Sequence, residues 1–230
     1  MVKLRTGLIA SVPALLLVLA IVPVVAALVL LAGLMTGQAT AEKARFFDHP
    51  WPITLHILAV VPYALLGALQ FAPALRRGGW HRVAGTALVP LGLVSALTGL
   101  WMTLVYPWPA GDGEAVYLMR LAVGVAMTFA VVRGTALLRQ HDYAAHGAWM
   151  LRGYALGMGA GTQVLTHLPW FMFVDTAPGE AGRAVMMGMG WVINAAVAEY
   201  VIRRTFVAPA PSRSIRPRPA LASLPQELNP

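Results

Sequence analysis

Long apolar stretches separated by short polar turns run through almost the whole chain. Six stretches each contain 20 or more residues with few charges. An α-helix rises about 1.5 Å per residue, so each stretch is long enough to cross the roughly 30 Å hydrocarbon core of a bilayer. The pattern predicts an all-α, polytopic transmembrane bundle of six helices, at 7–34, 52–75, 83–106, 116–138, 145–171 and 183–202.

Composition supports the same class of protein. Hydrophobic residues make up 58% of the chain, charged residues only 11%, and the mean hydropathy is +0.68. That leaves too little polar surface to cover a soluble globule of this size. The chain has no cysteine, which excludes disulfides, iron–sulfur clusters and thiol catalysis.

The basic residues predict the orientation. Lys3, Arg5, the arginines of the polar turns at 76–82 and 139–142, and the pair Arg203 and Arg204 all fall on one side of a six-helix bundle. The positive-inside rule makes that side cytoplasmic, with both termini inside. The net charge of +8 therefore needs no nucleic-acid partner, and the lipid bilayer is the expected surrounding.

These boundaries divide the chain into four parts. We expect an N-terminal transmembrane helix at 1–36, an external linker at 37–51, a five-helix membrane domain at 52–204 and a disordered cytoplasmic tail at 205–230. A cleaved signal peptide is the alternative for the first part, because Ala39-Thr40-Ala41 has the form of a cleavage site. The long apolar run favours an uncleaved anchor, since a signal core has only about 7–15 apolar residues.

In a chain without cysteine, histidines are the main candidates for binding a haem or a metal. His56 and His167 each lie about one turn inside a predicted helix on the external side, so they could face each other at similar depth. Two neutral imidazoles on facing helices are the ligands that an axially coordinated haem b needs. The alternative is that each is a polar interfacial side chain with a backbone or water partner.

Two further histidines, His81 and His146, fall on the cytoplasmic side beside Arg82 and Arg152. His146 and His167 are 21 residues apart, which is roughly 31 Å along one helix and the whole hydrocarbon thickness. The inner histidines are therefore expected at headgroup level, where they suit water or phospholipid contacts better than haem ligation.

Several other polar side chains lie inside the predicted helices: Gln70, Arg120, Arg133, Gln163, Asn194 and Glu199. Arg133 and Glu199 have matched depth, and pairing them would relieve the cost of each charge in lipid. We expect a structural bridge between two helices, with a proton path as the alternative. Gly153, Gly157 and Gly161 recur at four-residue spacing, which predicts close helix packing at the centre of the bundle.

Three motifs carry a resemblance to a known family: the hairpin from His56 to His81-Arg82 and Gly85, the run from His146 through Trp149-Met150-Leu151-Arg152-Gly153-Tyr154, and Trp191, Asn194 and Glu199-Tyr200. Over about 52–204 the chain resembles the bacterial membrane-protein family called domain of unknown function 2306. The family pattern often has a basic pair where this chain has Gly147-Ala148. The resemblance implies a multi-pass protein of the bacterial inner membrane and brings no known activity with it.

No motif for hydrolysis or phosphoryl transfer is present. The sequence leaves two functions open. The first is a non-catalytic membrane scaffold or small-solute carrier. The second is a membrane oxidoreductase that binds haem b, or a metal, through His56 and His167 and exchanges electrons with a quinone or a protein partner.

Overall fold

Helices account for nearly all of the chain that the structure describes. The computed structural model describes residues 2–37, 43–76 and 79–206, with side chains from residue 12 onward except at 73 and 76. Its helices are α1 Val2–Thr36, α2 Ala44–Asp48, α3 Pro50–Leu69, α4 Pro73–Arg76, α5 Trp80–Val105, α6 Glu114–Arg139, α7 Tyr143–Gly157, α8 Gly159–Phe173 and α9 Glu180–Thr205. No strand occurs in these three ranges.

Five of these helices are long and apolar enough to cross a membrane: α1, α3, α5, α6 and α9. They coincide with five of the six predicted segments, so the all-helical membrane class is confirmed for the described residues. Single helices of the described residues account for only five of the six predicted crossings. The segment expected at 145–171 is instead divided between α7 and α8, each 15 residues long.

Local sequence explains several helix ends. Asp142 caps α7, because its Oδ1 accepts a hydrogen bond from the Ala145 N–H at 3.0 Å. Pro50 and Pro52 lie in the first turn of α3, where a missing N–H costs nothing. The predicted second segment ends earlier than expected: α3 stops at Leu69, a turn follows, and α4 begins at Pro73.

The long helices form a ring. α3 packs against α1 and α5, α5 packs against α6, and α6 contacts α7 and α9. α8 packs against α9 and α1, which closes the ring. The two halves of the divided segment thus share α9 as a neighbour but differ in the others, since α7 packs against α6 and α8 packs against α1.

Glycines bring the divided segment close to its neighbours, as their spacing predicted. A Cβ at Gly153 would lie 3.3 Å from Val131 of α6, and one at Gly157 would lie 3.1 Å from Tyr63 of α3. At Gly161 it would lie 2.5 Å from the Leu19 carbonyl oxygen of α1. One stripe of small residues therefore packs against three helices.

Two tyrosines occupy the middle of the core. The rings of Tyr63 and Tyr154 are 5.8 Å apart, and both residues are buried. The Tyr154 hydroxyl donates to the Ala64 carbonyl oxygen at 2.9 Å, which satisfies its polar group inside the bundle. Gly67 and Gly92 leave the space that the two rings fill. The core therefore ties α3, α5 and α7 together.

The tail expected at 205–230 lies outside the described residues except for its first two positions, and the cleavage site at Ala41 also lies outside them. The predicted linker at 37–51 is partly helical, because it contains α2 and the start of α3.

Candidate functional site

A cavity of about 390 Å³ occupies the centre of the helix ring at the end that contains Asp112. Hereafter this space is the Asp112 cavity. It extends along α6 from the loop before Glu114 to Met127, which is roughly 20 Å at 1.5 Å per residue. Its walls come from α2, α3, α5, α6 and α9, and its floor is the junction of α7 and α8.

The end of the cavity at Asp112, hereafter its mouth, is built around one buried carboxylate. The Asp112 side chain is only 2% exposed, and it forms ion pairs with Arg120 of α6 and Arg183 of α9. Burial on this scale is tolerated because two guanidiniums replace the lost water. These two ion pairs fix the loop between α5 and α6 to α6 and to α9.

A third guanidinium gives the mouth an excess of positive charge. Arg45 of α2 lines the cavity with Arg120 and donates to the Pro107 carbonyl oxygen at 3.3 Å. Its Nε is buried and has no hydrogen-bond partner among the described residues. Burial, followed by repulsion from Arg120, lowers the pKa of Arg45, and Asp112 offsets only part of this.

Two further acids lie near this cluster. Glu114 begins α6 two residues after Asp112, and the Glu180 carboxylate packs against Gly113, but both are exposed and neither lines the cavity. Among the charged residues that do line it, two are arginines and one is an aspartate already shared with Arg183. The charged residues of the cavity lining therefore carry a net positive charge.

His56 lies deeper in the same wall. Its Nδ1 is 3.0 Å from both the Ser95 carbonyl oxygen and the Thr98 Oγ1 of α5. A carbonyl only accepts, so Nδ1 carries the proton and Nε2 keeps its lone pair. Gly99 lies beside the ring, where a Cβ would make an ordinary contact of 3.6 Å with His56 Cε1.

His167, the predicted partner of His56, does not line the Asp112 cavity. It lies on α8, where its Nδ1 is 2.7 Å from the Gln163 carbonyl oxygen and its ring stacks on Phe171. α8 packs mainly against α9 and α1 rather than α3. The structure therefore places the two histidines in different surroundings, and a shared haem site stays a prediction.

The floor of the cavity is an interruption in a helix. α7 ends at Gly157, Met158 forms a turn, and α8 begins at Gly159. The Ala155 carbonyl next to this interruption accepts a hydrogen bond from Asn194 Nδ2 of α9 at 3.0 Å, and Asn194 Oδ1 accepts one from Thr162 at 2.7 Å. Broken helices are tolerated at membrane depth where protein groups satisfy the freed backbone and a cavity adjoins.

Glu199 has a different partner from the predicted Arg133. Both of its carboxylate oxygens accept from Arg152 of α7, at 2.5 and 3.1 Å, and Arg152 also stacks over Trp149. Arg133 is exposed on α6, away from the buried face at 130, 131, 134 and 137. Matched depth along the helices was not enough to predict this pair, because the rotation of each helix about its axis decides which side chains meet.

The other candidate residues predicted for the cytoplasmic side differ in their surroundings. His146 has a structural contact, since its Nδ1 is 2.9 Å from the Gly134 carbonyl oxygen of α6. His81 and Arg82 are exposed at the start of α5. Together with Arg152 and Tyr154, His146 makes the motif of α7 a set of contacts to three neighbouring helices.

Sequence reasoning missed the mouth of the cavity. Arg120 was recognised as an intramembrane charge, but Asp112 and Arg45 were not assigned to it. The available signal was that an arginine inside a membrane helix needs an acidic partner, and Asp112 is an acid in the loop just before the same helix.

A helical bundle with five membrane-length helices and a cavity at one end defines a polytopic membrane protein. The family model described as "Predicted membrane protein (DUF2306)" matches residues 53–202, which is more than half of the chain. The chain belongs to this family. The comparison with curated proteins found no match, and the comparison with solved structures found none either.

Proposed function

We propose that this membrane protein is a carrier for a small amphipathic anion, which binds in the Asp112 cavity with its acidic head between Arg45 and Arg120. The observation that supports the proposal is the imbalance of charge at the mouth. Arg45 and Arg120 line the cavity with one aspartate, Asp112, which pairs with Arg120 and Arg183, and no described carboxylate forms an ion pair with Arg45.

An acidic head would supply the negative charge that this mouth lacks. A guanidinium has five N–H donors in a planar fork that matches two oxygens of a carboxylate or phosphate. Hydrogen bonds between ionised groups are about twice as strong as neutral ones. An anion between Arg45 and Arg120 would also weaken the repulsion between them.

The interrupted helix supports a carrier rather than a scaffold. Discontinuous helices mark the substrate site in many transporters, because a break near the membrane centre gives binding groups and a place to bend. Here the break lies at the cavity floor, with Gly157 and Ala160 lining it. A scaffold would need neither the cavity nor the break.

The proposal includes a topology. α7 and α8 together make the sixth crossing, both termini are cytoplasmic, and the Asp112 mouth opens on the external face of a bacterial inner membrane. Support comes from the arginines at 139, 203 and 204, which lie at the opposite end of the bundle from Asp112.

Equilibrium binding of labelled decanoate to the protein in lipid nanodiscs tests the proposal, with empty nanodiscs as the reference for partitioning. Arg45→Gln should weaken binding about tenfold, the loss expected for a charged hydrogen bond. This change leaves both ion pairs of Asp112 in place. Arg139→Gln, an exposed arginine at the other end, is the matched control and should bind normally.

Three outcomes would reject the proposal. Equal affinity of Arg45→Gln and the unaltered protein for decanoate would show that the head does not lie at this mouth. An equal loss for neutral decanol would show that Arg45 acts through the shape of the cavity rather than through its charge. Absence of binding above empty nanodiscs would leave the scaffold as the remaining non-catalytic function.

A further inference from the structure

A second cavity of about 280 Å³ lies between α1 and α3, beside the floor of the first. Hereafter it is the α1–α3 cavity. Its lining is apolar except for His56, with small and branched side chains such as Ala27 and Val61. The residues 53, 56, 60, 157 and 160 line both cavities. The two spaces therefore adjoin each other at these residues.

We infer that the two cavities form one binding site, in which the Asp112 cavity holds the acidic head of a single-chain amphiphile and the α1–α3 cavity holds its hydrocarbon tail. This inference rests on the proposed function, because it uses the same head position. It adds the class of ligand, a medium-chain carboxylate or phosphate ester.

The distribution of polarity supports this assignment. All of the charged lining residues are in the Asp112 cavity, and the α1–α3 cavity has none. His56 lies at the junction, with Nδ1 held toward α5 by Ser95. A molecule that spans both spaces would meet charge at one end and only apolar surface at the other, as in an amphiphile.

The volumes limit the length of the tail. The α1–α3 cavity has room for roughly nine units of about 30 Å³, the share of one water molecule and close to that of one methylene. The volume of 390 Å³ lies within the usual range for small-molecule sites, about 300–1,000 Å³, and 280 Å³ lies just below it. A chain of about eight to twelve carbons is therefore expected.

α1 forms one side of this second space. Residues of α1 from Ala20 to Leu30 supply one wall, although the family match begins only at residue 53. The opposite wall comes from α3 and from the glycines at the α7–α8 junction. A tail in the cavity would lie against α1, and the residues of α1 should set the permitted chain length.

A chain-length series tests the inference. Saturated acids of six, ten and sixteen carbons are bound to the protein in nanodiscs, again against empty nanodiscs. Ala27→Phe should fill the α1–α3 cavity, weaken decanoate binding at least tenfold and leave hexanoate within twofold, since each buried methylene is worth up to about fourfold in affinity. Val29→Phe, an exposed position on the same helix, should leave the series unchanged.

A photoreactive decanoate with a diazirine at its last carbon locates the tail directly. Crosslinks that excess decanoate removes should map to 20–30 and 53–64. Crosslinks to these helices that excess decanoate does not remove would come from probe dissolved in the bilayer and would overturn the inference. Ala27→Leu serves as a milder variant if the phenylalanine variant does not fold, and it should shift the preferred chain length downward.

The outcomes separate this inference from the proposed function. If Arg45→Gln weakens every acid but Ala27→Phe changes none, the head site stands and the tail site is wrong. If Arg45→Gln changes none of them, both fail. Dodecyl phosphate in place of the acid distinguishes a phosphate head from a carboxylate head.

Discussion

Asn194 Nδ2 donates a hydrogen bond of 3.0 Å to the carbonyl oxygen of Ala155, across the interruption between α7 and α8. The helix break frees backbone groups inside the membrane domain, and α9 supplies a side chain for one of them. Asn194 was recognised in the sequence as a polar residue within a helix and as part of a family motif. The structure assigns it the task of stabilising the floor of the cavity.

Replacing Asn194 should therefore destabilise the fold. Asn194→Ala leaves the Ala155 carbonyl and the Thr162 hydroxyl without their described partner, at an expected cost of about 1–3 kcal/mol in the free energy of unfolding. Reversible unfolding in mixed detergent micelles measures it. Val192→Ala, at a lipid-exposed position on the same helix, is the control, and an equal loss there would contradict the assignment.

The ion pair of Arg152 and Glu199 should show coupling in a double-mutant cycle. Both side chains are partly exposed, at 30% and 41%, so solvent and lipid headgroups reduce the interaction and we expect a coupling energy of about 1 kcal/mol or less. The variants are Arg152→Gln, Glu199→Gln and their combination. The same cycle with Arg133→Gln should give a coupling near zero, and the reverse result would restore the pair expected from depth alone.

Neutralising Asp112 should lower the free energy of unfolding more than neutralising any of the other charged residues named for substitution. Asp112→Asn leaves Arg120 and Arg183 facing each other beside Arg45 without the buried carboxylate, which is expected to destabilise the protein by about 3–5 kcal/mol. Glu114→Gln, an exposed acid two residues away, should change stability little. Adding Arg120→Gln to Asp112→Asn should recover part of the loss if repulsion is its cause.

Reporter fusions test the proposed topology. Fusions after Gly79 and Asp142 should be active in the cytoplasm, and fusions after Gly111 and Gly179 should be active outside. Gly79 follows α4, Asp142 follows α6, Gly111 follows α5, and Gly179 lies just before α9. Because Asp142 and Gly179 flank α7 and α8, these fusions determine whether the two helices make one crossing. An external signal after Asp142 would overturn the model. The intact mass separately decides whether the chain is cleaved after Ala41.

An absorption spectrum distinguishes the carrier from the haem alternative. His56 and His167 each have Nδ1 near a carbonyl oxygen, an arrangement that leaves Nε2 for a metal. The alternative predicts a Soret band that sharpens on reduction and is lost in His56→Ala and His167→Ala but kept in His81→Ala and His146→Ala. The carrier proposal predicts no such band in protein purified from haem-replete cells.

The apolar pattern alone determined the class of protein and the position of its membrane helices. A span in lipid must satisfy its backbone internally and cover a fixed thickness, so length and hydropathy are local properties that a sequence displays. The helices α1, α3, α5, α6 and α9 coincide with five predicted segments for this reason. The motifs around His146 and Trp191 were also sufficient to indicate the family.

The tertiary structure decided which polar groups meet. Arg152 pairs with Glu199 because of how α7 and α9 are rotated about their axes, and depth along a helix carries no information on rotation. Asp112 joins α6 and α9 because its loop folds back over the bundle. The break at Met158 lies beside Trp191 and Asn194 of α9, which contact Gly159 and the Ala155 carbonyl. These are relations between distant segments, and only the packed fold creates them.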